Sequence, residues 1–349
     1  MSPPLSESVR ADLQDCRTTL RRGSKSFHAA ARLLPRDVAD SAVALYAFCR
    51  VADDAIDRAG GASALPALRD RLRRAYDHRP YPLASDRALA WVVARHAIPR
   101  TLPEALLEGF AWDAEGRRYE DFAGVTAYAT RVAGTVGAMM ALLMGARAPV
   151  SVARACDLGI AMQLGNIARD VGEDARAGRL YLPLSWLRAE GIDPDAWLTR
   201  PAFAPAIGAV VRRLLHEAEA LYARADGGIA LLPAGCRPGI AAARLIYSEI
   251  GREVARNGFD SVSRRAVVPG RRKLALLAQS VAHAMLAQAG AAAPPVPAAA
   301  FLVEAVANAP PPRPIAMAAR QRAGLDARIE RVVTMFARLQ AEEVARGQP

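Results

Sequence analysis

The stretch Tyr46–Asp57, YAFCRVADDAID, sets one arginine and three aspartates into a run that is otherwise apolar. Its hydrophobic residues recur every three to four positions, the period of a buried helix face. On such a helix Asp53 and Asp57 are i and i+4, so their carboxylates leave one face about one turn apart. Two like charges that close need a cation.

Outward from this segment, nearly every stretch between Pro and Gly breakers is rich in Ala and Leu at helical spacing, and no run of alternating β-branched residues interrupts them. The fold class expected is all-α. Breaks are expected at Arg79–Pro82, Arg147–Pro149, Gly191–Pro205, Pro233–Pro238 and Pro269–Gly270. Residues 1–290 read as one helical domain. Residues 291–314, with AGAAAPPVPAAA nearby and NAPPPRP, read as an Ala/Pro-rich, linker-like segment around a short helix. Residues 315–349 read as a C-terminal amphipathic helix, with Leu325, Ile329, Val332, Val333, Phe336 and Leu339 on its apolar stripe and arginines beside it.

The 349 residues carry a net charge of +11, which raises nucleic acid or an anionic surface as a partner. Nucleic acid is set aside, because only Lys25 and Lys273 are lysines and the arginines are spread along the whole chain. Cys16, Cys49, Cys156 and Cys236 are scattered, with no C-x-x-C pair and no signal peptide, so a reducing, cytoplasmic setting is expected. The longest near-uncharged run, Val132–Ala146, is too short to span a bilayer. Zinc, P-loop and serine-hydrolase motifs are missing.

A second acidic site lies in MQLGNIARDVGEDARAGRLYLP, Met162–Pro183. Gln163, Asn166, Asp170 and Asp174 fall at i, i+3, i+7 and i+11, one polar stripe on an apolar helix. Facing Asp53 and Asp57 across a cavity, these hard oxygen donors suit Mg²⁺, which shares its coordination sphere with phosphate oxygens. A diphosphate substrate follows. Arg50, Lys25 and the Arg264–Arg265 pair are cations that could grip the same group. Departure of a diphosphate leaves a carbocation, so the space beyond the acids must be apolar and dry.

GSKSFHAAARLLP, LYAFCRVADDAID, YATRVAGTVG, MQLGNIARDVGEDARAGRLYLP and SRRAVVPGRRKL, taken in order, resemble signature blocks of the squalene/phytoene synthase family, most closely its bacterial phytoene branch. The resemblance covers roughly Leu20–Leu274. It implies a single isoprenoid-synthase-type helical bundle with a central apolar cavity. It also implies head-to-head joining of two geranylgeranyl diphosphates through prephytoene diphosphate to phytoene, in carotenoid biosynthesis. By resemblance Asp53, Asp57, Asn166, Asp170 and Asp174 hold Mg²⁺, with Mn²⁺ as a substitute, and Gln163 supports the second cluster. Ser24, Lys25, Tyr46, Arg50, Tyr247 and Arg264 would contact the diphosphates, Arg264 being hard to separate from Arg265. Phe27 and Tyr128 would line the cavity near the reacting carbons. No NADPH is expected. A squalene or dehydrosqualene synthase using farnesyl diphosphate would keep the same acids, and a non-catalytic relative need keep neither pair. The lipophilic substrate and the C-terminal helix leave open a peripheral contact with the inner membrane surface.

Overall fold

In the computed structural model, residues 7–23, 31–58, 61–290 and 293–312 are described. Among them regular structure is entirely helical. The first half runs α1 (Glu7–Gly23), α2 (Arg36–Arg58), α3 (Leu65–Tyr76), α4 (Ala84–His96) and α5 (Thr101–Ala114). Then follow α6 (Phe122–Ala129), α7 (Thr135–Leu143), α8 (Pro149–Arg176), α9 (Leu184–Ala189) and α10 (Pro194–Thr199). The chain continues through α11 (Pro205–Ile229), α12 (Arg237–Arg256), α13 (Gly270–Leu286) and α14 (Ala300–Ala307). The breaks expected from sequence fall between helices or reach into the first turn of the next one, and Gly191–Pro205 also holds the short α10.

Prolines at the start of α8, α11 and α12 mark where these helices begin, since the missing N–H costs nothing in a first turn. The long α8 is the central element, packed on α7, α11 and α12, whereas α2 packs on α1, α4 and α5. The two acidic stripes therefore sit on different sides of the bundle's interior.

Glycines let the backbones around α8 come together. A Cβ on Gly159 would stand 2.2 Å from the Ala133 carbonyl oxygen, and one on Gly137 would stand 2.1 Å from that of Ala155. Ala133 belongs to a π-type turn, Thr130–Gly134, which joins α6 to α7 as one interrupted helix. The small residues of YATRVAGTVG thus serve helix packing: Gly137 meets backbone, and Gly134 faces Ile160.

The described part of 291–314 carries a short helix, α14, whose Leu302, Val303 and Val306 are buried against α8, α5 and α7. Its approach is clamped by charge. Asp157 is wholly buried and takes Arg154 at 2.9 Å and Arg224 at 3.0 Å. Those guanidiniums also donate to the carbonyls of Ala293 and Pro294. The expected C-terminal helix, 315–349, lies outside the described residues.

The clamp makes a direct prediction. Asp157→Ala leaves two partly buried guanidiniums without their carboxylate, and should destabilise the fold by about 3–5 kcal/mol. Urea unfolding measures this, and a loss below about 1 kcal/mol would contradict the clamp.

Candidate functional site

On α2, Arg50 sits one turn before the acids and pairs with Asp53 at 3.0 Å and Asp54 at 2.7 Å. Its charge is thus spent on its own helix. Asp57 lies in the last turn of α2, and its side chain is outside the described residues, as are Ser24, Lys25 and Phe27 altogether. Tyr46, two turns before Asp53, is half-buried, and burial raises its phenol, with Arg50 opposing and Tyr247, Asp53 and Cys49 adding to the rise. Tyr46 on α2 and Tyr247 on α12 are therefore close enough to feel each other's charge.

On α8, Asp170 is held bidentately by Arg169, at 2.7 and 2.6 Å, and by Arg265, at 2.7 and 3.3 Å. Burial works to raise the Asp170 carboxyl, but the hydrogen bonds from both arginines outweigh it and the net shift is downward. Asp174 has no such relief. Burial first, then the Asp170 charge, push it up to about 7, with Arg179 opposing. Asn166 Oδ1, on the same stripe, is buried without a hydrogen-bond partner. Gln163 is half-buried on that stripe.

Arg265, not Arg264, is the arginine delivered to this site. Arg264 instead donates to the Asn257 carbonyl at 3.3 Å. The choice is made by backbone. Gly172 has no side chain, so the chain at Val262 lies directly on α8, where a Cβ would be 2.2 Å from the Val262 carbonyl oxygen. The Gly172 N–H donates to Ser261 O at 2.9 Å and Arg176 donates to Val262 O at 3.1 Å. That docking fixes which of two adjacent arginines faces Asp170.

Sequence reasoning missed the residue that lies between the two acidic helices. Asp113, at the end of α5, accepts from Tyr128 Oη at 2.9 Å and from Tyr181 Oη at 2.7 Å. Burial raises Asp113 to about 6, the two phenols and Arg179 oppose, and Asp53 adds to the rise. Asp113 in turn raises Asp174. Asp53, Asp113 and Asp174 therefore share one electrostatic neighbourhood, which joins α2 to α8. Tyr181 gets there because α8 ends at Arg176 and Gly178, with a φ of +74°, reverses the chain just beyond it.

The phenols form a wall. Tyr128 stacks on Tyr181 with centroids 5.0 Å apart and on Tyr119 at 5.4 Å. All three rings are buried, giving an aromatic wall beside Asp113. A cleft of about 220 Å³ opens elsewhere, between α11 and α12, with Gly165, Tyr222 and Tyr247 in its lining. Gly165 lies on the far side of α8 from Asp170, so this cleft is not the space the acids face.

Whether the acid residues fit a cation can be tested on this geometry. Among the described residues no three of His, Cys, Asp and Glu already stand close enough to hold one. Yet the orphaned Asn166 Oδ1, the raised Asp174 and the arginine-capped Asp170 share one α8 stripe. These are the residues that would hold a divalent ion, which would supply a partner for Asn166 Oδ1 and a countercharge for Asp174 and Asp170. The donor set fits, once Arg265 withdraws.

Residues 20–272 match the family described as Squalene/phytoene synthase. The chain is 50% identical over 349 residues to a phytoene synthase of Cereibacter sphaeroides, covering 95% of each protein. It is 53% identical over 309 residues to that of Rhodobacter capsulatus, covering 86% of this chain and 91% of the relative. Among solved structures, a dehydrosqualene synthase in complex with ligand matches with a TM-score of 0.71 at 30% identity, covering 79% of this chain and 97% of that one. A squalene synthase from Alicyclobacillus acidocaldarius shares the fold, with a TM-score of 0.66 at 24% identity over 72% of this chain and 95% of that one.

The carboxyls give a pH prediction. Raised folded-state values for Asp113 and Asp174 mean the fold favours their protonated forms. Their contribution to stability is complete below about pH 4 and is lost as pH rises through 6 to 7. Asp170, shifted down, acts in the opposite sense. Asp174→Asn removes one such group, so in the metal-free protein its Tm relative to the parent should rise from pH 5 to pH 8. A Tm difference that stays constant across this range contradicts the arrangement.

Proposed function

Since the chain belongs to the squalene/phytoene synthase family, we propose that it joins two geranylgeranyl diphosphates head to head, through prephytoene diphosphate, to give phytoene. The observation that carries this reading is the meeting of the two acidic helices at Asp113, beside a wall of stacked tyrosines. Acids for a metal–diphosphate complex and an apolar aromatic surface for a carbocation are the two things such a reaction needs in one place.

Each group then has a task. Asp53, Asp57, Asn166, Asp170 and Asp174 would hold Mg²⁺, or Mn²⁺ in its place, with Gln163 behind them. Bound there, the metal neutralises charge growing on the departing diphosphate. Ser24, Lys25, Tyr46, Arg50 and Tyr247 are proposed to bind the diphosphates, whereas Arg264, expected among them, is turned to the Asn257 carbonyl. Arg265 joins them, because a guanidinium released from Asp170 remains beside the place where a phosphate arrives. Arg50 can do the same only by giving up Asp53 or Asp54. Tyr128, stacked between Tyr119 and Tyr181, would form part of the wall beside the reacting carbons, where its bulk excludes water. Asp113 holds that ring still, since the Tyr128 and Tyr181 hydroxyls share its two oxygens.

The solved dehydrosqualene synthase raises farnesyl diphosphate as the competing substrate. Side-chain size favours the longer chain. Ala31 and Val43 are both buried, and Val43 lies about two to three turns before Asp53 on α2. Small residues there leave depth for a further isoprene unit.

Two measurements follow. Purified protein given Mg²⁺ and equal concentrations of both diphosphates should yield chiefly the 40-carbon hydrocarbon. Ala31→Phe with Val43→Trp should move the ratio toward the 30-carbon product by about tenfold or more. A folded double variant with an unmoved ratio means these positions do not set chain length. Asp53→Asn and Asp170→Asn should each lower kcat by about 100-fold or more with the Tm preserved. Full activity in either variant, or in excess EDTA, contradicts the metal assignment.

A further inference from the structure

The connection from α12 to α13 carries a surface that the reaction chemistry leaves unused. Between Glu249 and Lys273 the sequence holds seven Arg and Lys against three Asp and Glu, so 25 residues supply +4 of the chain's +11. The structure turns much of that excess outward. Glu249 is fully buried and accepts from Arg252, Arg256 and Arg272, so one carboxylate answers three guanidiniums. Arg271 is exposed, and no ion pair or hydrogen bond is seen for it among the described residues.

At the centre of this field stands an aliphatic side chain. Val267 is 69% exposed, while Ala266 and Val268 on either side are buried. The alternation is that of an extended chain anchored through both neighbours, and Pro269 stiffens its end. The exposure of Val267 is therefore built in. The same connection rests on Gly172 of α8 and sends Arg265 to Asp170, so this tip adjoins the acid site.

An exposed valine among arginines is a poor surface for nucleic acid, which is gripped by stacking aromatics as well as charge. It suits a lipid interface, where an apolar tip enters below the headgroups and guanidiniums pair with lipid phosphates. We propose that the Gly258–Lys273 connection docks the protein on an anionic phospholipid bilayer, with Val267 inserted and the acid site opening toward the lipid. This deepens the proposed function and rests on it for its purpose: a substrate with a long apolar tail reaches the acids from the bilayer, and a hydrocarbon product returns there.

The test uses the full-length protein, sedimented with vesicles of phosphatidylglycerol and phosphatidylcholine or of phosphatidylcholine alone. Binding should be confined to the anionic vesicles and should fall as salt is raised. Arg271→Glu should lower the partition coefficient about fivefold or more, the effect of at least one cation lost near an anionic surface. Val267→Asp should lower it by a similar factor, and neither change should alter the Tm or turnover of detergent-dispersed substrate. Variants that bind like the parent, equal binding to neutral vesicles, or retention by single-stranded RNA without vesicle binding would each overturn the proposal. Turnover in detergent is read separately, so its absence would count against the proposed function and leave the vesicle result standing.

Discussion

Mutual repulsion among carboxylates is the constraint on which the site depends. Asp53, Asp113, Asp170 and Asp174 come from three helices into one partly buried region, and in the metal-free protein they do not all ionise comfortably. Three different solutions are visible. Asp170 takes two guanidiniums, Asp53 takes Arg50, and Asp174 and Asp113 keep their protons toward neutral pH. Each is a solution that a divalent cation can replace, and that replaceability is the property a metal-dependent diphosphate site needs.

The rest of the architecture holds those acids at the right separation. The π-type turn at Thr130–Gly134 and the glycines facing it bring α7 hard against α8, so α8 cannot slide. Gly172 admits the connection that carries Arg265, and Gly178 reverses the chain so that Tyr181 returns to Asp113. The Asp157 clamp ties α8, α11 and the 293–294 segment together on another part of the same helix. A buried ion pair is a poor source of net stability but a strict source of geometry, because alternatives leave a charge unanswered.

Much of this was legible in the sequence, and the reasons for the exceptions are physical. Helices and their breaks show because a 3.6-residue apolar period and proline positions are local properties. The α8 stripe of Gln163, Asn166, Asp170 and Asp174 shows for the same reason. Asp113 does not, since nothing in FAWDAEGRRYEDF sets it apart from Glu115, Glu120 and Asp121, and its partners Tyr128 and Tyr181 are brought to it only by the fold. The one signal available was an acid beside Trp112 at the end of a largely apolar helix. Arg264 and Arg265 are indistinguishable by type, and only the backbone lying on Gly172 separates them. The docked α14 was hidden because Arg154 and Arg224, which secure its approach, lie far away in the chain.

In the metal-free protein, arginine and protons occupy the positions proposed for divalent metal and diphosphate. Diffraction from crystals grown with Mn²⁺ and a non-ionising thiolo-diphosphate analogue of geranylgeranyl diphosphate tests it most directly, because manganese is located by its anomalous signal. The account predicts anomalous peaks among Asp53, Asp57, Asn166, Asp170 and Asp174, with Arg265 moved from Asp170 onto a diphosphate oxygen. Arg265 still bidentate on Asp170, with manganese and diphosphate bound elsewhere, would contradict it.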